Sequence, residues 1–147
     1  MTHHKNPWQS YKKIATQTAA PGQLVLMLYD GAIGFLERAV AGFDYTDRRQ
    51  MILTVNNNVI RAQAIIRELD ARLDMDKGGE VAENFRRLYE YFHRRMNEAN
   101  FKKTREPAEE VLKHMRVLRD SWSEMLQRGP NQVDNPQMAE SASYQAA

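Results

Sequence analysis

Between Thr18 and Phe43 the chain reads TAAPGQLVLMLYDGAIGFLERAVAGF, and the width of the apolar surface in this stretch limits the folds open to it. Wound as an α-helix, it places Leu24, Leu28, Ala32, Phe35, Ala39 and Phe43 on one stripe and Val25, Tyr29, Ile33, Leu36 and Val40 on the next. Together they cover about half the circumference, where an ordinary surface helix shows a stripe of roughly 100°. A helix of this kind has to be covered from two sides, which places it at the centre of a bundle. Its start is readable as well: Pro21 suits the first helical position, where a missing N–H costs nothing. Ala20 before it offers no capping oxygen, a deficit of about 1 kcal/mol that Thr18 can offset through a turn.

Three further segments repeat the helical period. Ile52, Val55, Val59, Ala62, Ile66, Leu69 and Leu73 succeed one another at alternating steps of three and four, the seam of antiparallel bundle packing. Within that run Asn56, Asn57 and Asn58 are poor helix formers, so tertiary contacts must hold them there. Met75 to Gly79 reads as a break, with two adjacent glycines supplying backbone freedom. The third helix then turns Val81, Phe85, Leu88, Phe92, Met96 and Ala99 inward. Residues 100–106 read as a loop, Pro107 lies in the first turn of the fourth helix, and Ala108, Val111, Met115, Leu118, Trp122 and Met125 form its inner face. Residues 43–48 form the first connection, with Asp47 as the cap of the second helix. Gly129-Pro130 stops the last helix.

The expected fold is therefore all-α: an antiparallel up-down four-helix bundle over 18–128, preceded by a short helical arm (1–17) and followed by a disordered tail (129–147). In the arm, Trp8, Tyr11 and Ile14 recur every third residue and give a short turn one apolar edge. Such a turn is unstable alone, and either packs permanently on the bundle or serves as a detachable cover for a partner groove. The tail, NQVDNPQMAESASYQAA, has no apolar period.

Composition narrows the function. With 21 basic and 19 acidic residues the formal charge is +2, too balanced to argue for nucleic acid or a membrane surface. There is no cysteine, hence no disulfide and no thiolate chemistry. The N-terminus lacks the apolar core of a secretory signal, and the longest apolar run, Leu24 to Tyr29, falls far short of the ~20 residues of a membrane span. Gly78-Gly79 lacks both the third glycine and the preceding strand of a phosphate loop. Glu90-x-x-His93 matches half of a di-metal carboxylate site, but the inner stripes of the other helices offer no second half. His93 as a phosphotransfer residue and Arg86, Arg87, Arg94 and Arg95 as a nucleic-acid patch both yield to the simpler reading of a solvated helix flank.

The bundle leaves one set of apolar residues unused. On the second helix Leu53, Ile60 and Ala64 project nearly opposite to Val55, Val59 and Ile66, with Asn57 along the same line. Aligned apolar residues of this kind form a strip for another helix or an extended segment, and Tyr89 on the shoulder of the third helix widens it.

The order Thr-Ala-x-Pro-Gly-x-Leu followed by Leu-Met-Leu-Tyr-Asp-Gly-Ala-Ile resembles the signature of the flagellar export chaperone (FliS) family. The match continues through Ile60-Arg-Ala-Gln-Ala-Ile-Ile, Leu69, Leu73-Asp74, Gly78-Gly79-Glu80, Asn84, Leu88-Tyr89-x-Tyr91 and Glu98-Ala99-Asn100, with Trp122 in the last helix. It spans roughly Tyr11 to Leu126, and departs at Ala20, where the family commonly has Ser, and in the tail. The resemblance implies a cytosolic, non-enzymatic chaperone without cofactors. Its guest is then the C-terminal segment of flagellin, kept from premature polymerisation and competent for flagellar type III export, and the guest-loaded form meets the export apparatus. It also implies that Tyr11 matches an arm tyrosine used in flagellin binding. The candidate guest site thus comprises Tyr11, Ile14, Leu53, Asn57, Ile60, Ala64 and Tyr89. A dimerising helical adaptor is the alternative, and a di-iron enzyme a more distant one.

Overall fold

The computed structural model describes residues 20–128, which form four helices: α1 (Pro21–Gly42), α2 (Arg48–Ala71), α3 (Met75–Lys102) and α4 (Arg105–Arg128). The expectations for the arm, for Thr18, for the Gly129-Pro130 stop and for the tail fall outside the described residues. Connections of five residues or fewer allow only antiparallel neighbours, and the helices close a square in which α1 and α3 each pack on both α2 and α4. The expected all-α four-helix bundle is the fold observed.

The wide apolar face of α1 is used in full. Leu24, Val25, Leu28, Tyr29, Ala32, Phe35, Leu36 and Ala39 are all buried, with Ile33, Val40 and Phe43 half-buried against the same core. Val55, Val59, Ile66 and Leu69 of α2, Phe92 and Met96 of α3, and Met115 and Trp122 of α4 meet them. Gly42 lets α1 approach α2 closely: a Cβ there would lie 2.9 Å from Thr54 Cγ2 and 3.3 Å from Val55 Cγ2. At the other end of α1, Trp122 donates its indole N–H to the Gly22 carbonyl at 2.7 Å and ties the last helix to the first.

Helix starts follow local chemistry. Asp47 caps α2 by accepting from the Arg49 and Gln50 amides, and Asp74 caps α3 from the Asp76 and Lys77 amides. Ala20 precedes α1 in an extended conformation with no side-chain cap, and Pro21 follows it.

Two boundaries differ from the sequence expectation. The glycine pair does not precede α3 but lies inside it: Asp74 starts the helix early, and Gly79, at φ 52° and ψ −124°, kinks it. Those angles are open to glycine and strained for other residues. Residues 100–106 are not a loop either, because α3 runs on to Lys102. Only Lys103 and Thr104 connect it to α4. Lys103 turns the chain in the left-handed conformation (φ 52°, ψ 50°), its amide bonded to the Ala99 carbonyl.

Candidate functional site

Helix α2 has two apolar faces with different fates. Val55, Val59, Ala62 and Ile66 are fully buried, whereas Leu53 and Ile60 each keep 49% of their surface exposed, with Asn57 and Ala64 exposed beside them. A helix turns 100° per residue, so both sets cannot reach one core, and the second stays in water. The structure therefore brings Leu53, Asn57, Ile60 and Ala64 together on one exposed line.

Tyr89 is not part of that line. It is buried, and its hydroxyl lies 2.9 Å from that of Tyr29, joining α1 and α3 across the diagonal of the bundle. Its position near the edge of the α3 inner stripe leaves either placement open in sequence. A buried aromatic body with a partner for its hydroxyl decides for the core. Tyr11 and Ile14 fall outside the described residues.

The strip lies beside the α2–α3 seam, which is held by neutral side-chain amides. Asn100 donates to Asn56 Oδ1 at 3.0 Å, and Gln63, itself buried, donates to Asn97 Oδ1 at 2.8 Å. Tertiary contact thus explains Asn56 within the helix. Asn58 instead bonds back to the Thr54 carbonyl at 2.8 Å, and Asn57 faces solvent. One ion pair, Arg86 Nε to Asp70 Oδ1 at 3.1 Å, joins the same two helices further along.

Elsewhere, charge is consumed within the fold. Of the four arginines on α3, Arg86 pairs with Asp70, Arg87 lies 3.7 Å from Glu83, Arg94 sits over the Tyr91 ring, and Arg95 binds Glu110 at 2.7 Å. The Arg95 guanidinium and the Tyr91 hydroxyl, both donating to Glu110, hold its carboxyl below the usual carboxylate range. His93 is half-buried; burial, reinforced by nearby Arg67, pushes its imidazole below the ordinary range, against the opposing pull of Asp70 and Glu90. Among the described residues no group of three or more His, Asp or Glu side chains is placed to hold a metal ion. No described helix is long and apolar enough to cross a membrane.

A surface residue with no signal in the sequence periodicity is Phe101. It is 87% exposed. Assigning 100–106 to a loop hides it, since only a helix continuing past Asn100 fixes the direction of Phe101.

Fold and surface together define a four-helix bundle that keeps a line of apolar side chains exposed on one helix. The model of the family described as "Flagellar protein FliS" matches residues 4–129. The chain is 32% identical over 123 residues to the flagellar secretion chaperone FliS of Bacillus subtilis, covering 84% of this chain and 88% of that protein. It is 34% identical over 112 residues to its counterpart in Salmonella typhimurium (76% and 80% covered), and 30% identical over 132 residues to that of Escherichia coli (87% and 94%). This chain belongs to the FliS family.

Proposed function

We propose that this chain is a cytosolic flagellar secretion chaperone that binds the C-terminal segment of flagellin, blocks its premature polymerisation and presents it for type III export. The relatives are named as flagellar secretion chaperones, which supports the role. The observation that carries the site is the exposed line Leu53–Asn57–Ile60–Ala64 on a helix whose other face already fills the core. A guest that assembles through helix packing has apolar stripes of its own, and laying them on this strip removes both surfaces from water. The loaded complex is the form that meets the export apparatus, and Tyr11 and Ile14 of the arm belong to the same guest contact.

The test replaces Leu53 and Ile60 together with Ser. Stability should change little, because surface substitutions stay within about 0.5 kcal/mol each. Affinity for a flagellin C-terminal peptide should fall about a hundredfold or more, since each side chain contributes roughly 1.5–3 kcal/mol when fully covered. Ile66→Ala is the inward-facing control and should cost roughly 2–5 kcal/mol of stability. Calorimetric titration with melting curves separates the two effects. Wild-type affinity in the double variant would remove the strip from the model, and a mass that falls on mutation without any guest would favour a dimerising adaptor.

A further inference from the structure

From the exposed aromatic at the end of α3, we infer that Phe101 is a guest-binding residue, an aromatic anchor that extends the α2 strip across the seam onto a second helix. The inference rests on the flagellin-segment reading of that strip. Phe101 is the most exposed large apolar side chain of the described residues, at 87%, while Leu53 and Ile60 stand at 49%. Its position is fixed from both sides. Asn100, its chain neighbour, holds Asn56 at 3.0 Å, so the last turn of α3 is pinned to α2 one turn from Leu53. Just beyond it, Lys103 leaves the helix in the left-handed conformation and the chain departs into α4.

Helical rotation sets the directions. Taking 100° per residue, Leu53 points about 160° from the core direction of α2, on the flank where Asn56 reaches α3. By the same count Phe101 points about 145° from the core direction of α3, on the flank where Asn100 reaches α2. Because the helices are antiparallel, the step back from Asn56 to Leu53 and the step forward from Asn100 to Phe101 lead toward the same end of the bundle. The two side chains therefore flank one seam, whose floor is the Asn56–Asn100 amide pair. A single exposed apolar residue is ordinary, but an aromatic continuing a line of aliphatic ones is a surface for an apolar segment, one that leaves hydrated the Lys103 ammonium donating to Asn100 Oδ1. Phenylalanine is also among the side chains enriched in the cores of protein interfaces.

The experiment titrates a flagellin C-terminal peptide into wild type, Phe101→Ser, the Leu53→Ser/Ile60→Ser double variant and Val117→Ser. Val117 is 58% exposed on α4, the helix diagonal to α2, and serves as the control. Phe101→Ser should weaken binding about tenfold or more at an unchanged melting temperature, with Val117→Ser at wild-type affinity. If Phe101→Ser binds within twofold of wild type while the double variant loses binding, the strip stands and the anchor falls. If Phe101→Ser weakens binding and the double variant does not, Phe101 touches the guest without extending any strip, and the strip reading falls together with the inference built on it. A free chain whose mass in sedimentation drops on Phe101→Ser would mark a self-association face and overturn the inference.

Discussion

The two long seams that flank the bundle on opposite sides are closed by different chemistry. Between α1 and α4 the rungs are ionic: Asp30 and Glu37 of α1 and Asp44 just past its end, seven residues apart, pair with Arg119 at 2.8 Å, Arg116 at 3.1 Å and Arg105 of α4. Between α2 and α3 the rungs nearest the exposed strip are amides, Asn56 with Asn100, to which Lys103 Nζ also donates, and Gln63 with Asn97. Exposed ion pairs are worth little in water and are costly to bury, since a partner laid over them must strip their hydration. Amide pairs already bonded to each other can be covered at far lower cost. The ionic seam suits a face that stays wet, and the amide seam, with fewer ions to strip of water, suits the face that the proposed guest would cover.

That contrast can be broken by cutting rungs. The largest effect is expected at Gln63→Ala, which removes a buried amide and its bond to Asn97. Stability should fall by about 1–3 kcal/mol, read as a shift of the urea midpoint. A loss below about 0.5 kcal/mol would mean that the amide rung contributes no more than an ionic one.

The next effect is a dependence on pH that the amide seam should show through His93. Its buried Nδ1 has no hydrogen-bond partner, and its folded pKa lies below the ordinary value of 6.5. In the window between the two values the unfolded chain binds the proton more tightly, so stability is highest above pH 6.5 and falls as pH drops toward the lower folded value. His93→Gln should flatten that slope in urea titrations taken from about pH 7.5 downward. An unchanged slope would assign the pH dependence to other groups.

The smallest effect belongs to the ionic seam. Arg119→Ala should cost about 0.2–1 kcal/mol at low salt, and the difference from wild type should shrink in about 1 M NaCl, where the Debye length is roughly 3 Å. A loss comparable to that of Gln63→Ala would erase the distinction between the seams.

Much of this architecture is legible in the sequence because periodicity reports a helix's own geometry. The inner stripes of α1, α2 and α4, the Asp47 cap and the outward direction of Leu53 and Ile60 all come from 3.6 residues per turn and local capping chemistry. Tyr89 is different, because its burial depends on Tyr29, sixty residues away, and an edge position on a helical wheel carries no trace of a diagonal partner. Phe101 and the kink at Gly79 are hidden for another reason. Residues that weaken a helix look like its end, yet the Asp74 cap at one end and the Asn100–Asn56 bond at the other extend α3 through them. Gln63 is a polar residue in an apolar run whose burial becomes intelligible only with Asn97 in place.

The clasp between Trp122 and the Gly22 carbonyl has a consequence for how the protein is made. Of the four described helices the most apolar is synthesised first, and one of the two that cover it is synthesised last. About 80 residues separate the end of α1 from Trp122, so at roughly 5–20 residues per second part of that apolar face waits about 4–16 s for its cover. A protein proposed here to shield another chain's apolar ends thus begins its own life with an apolar helix unshielded, and the indole reaching back to Gly22 marks the moment that exposure ends.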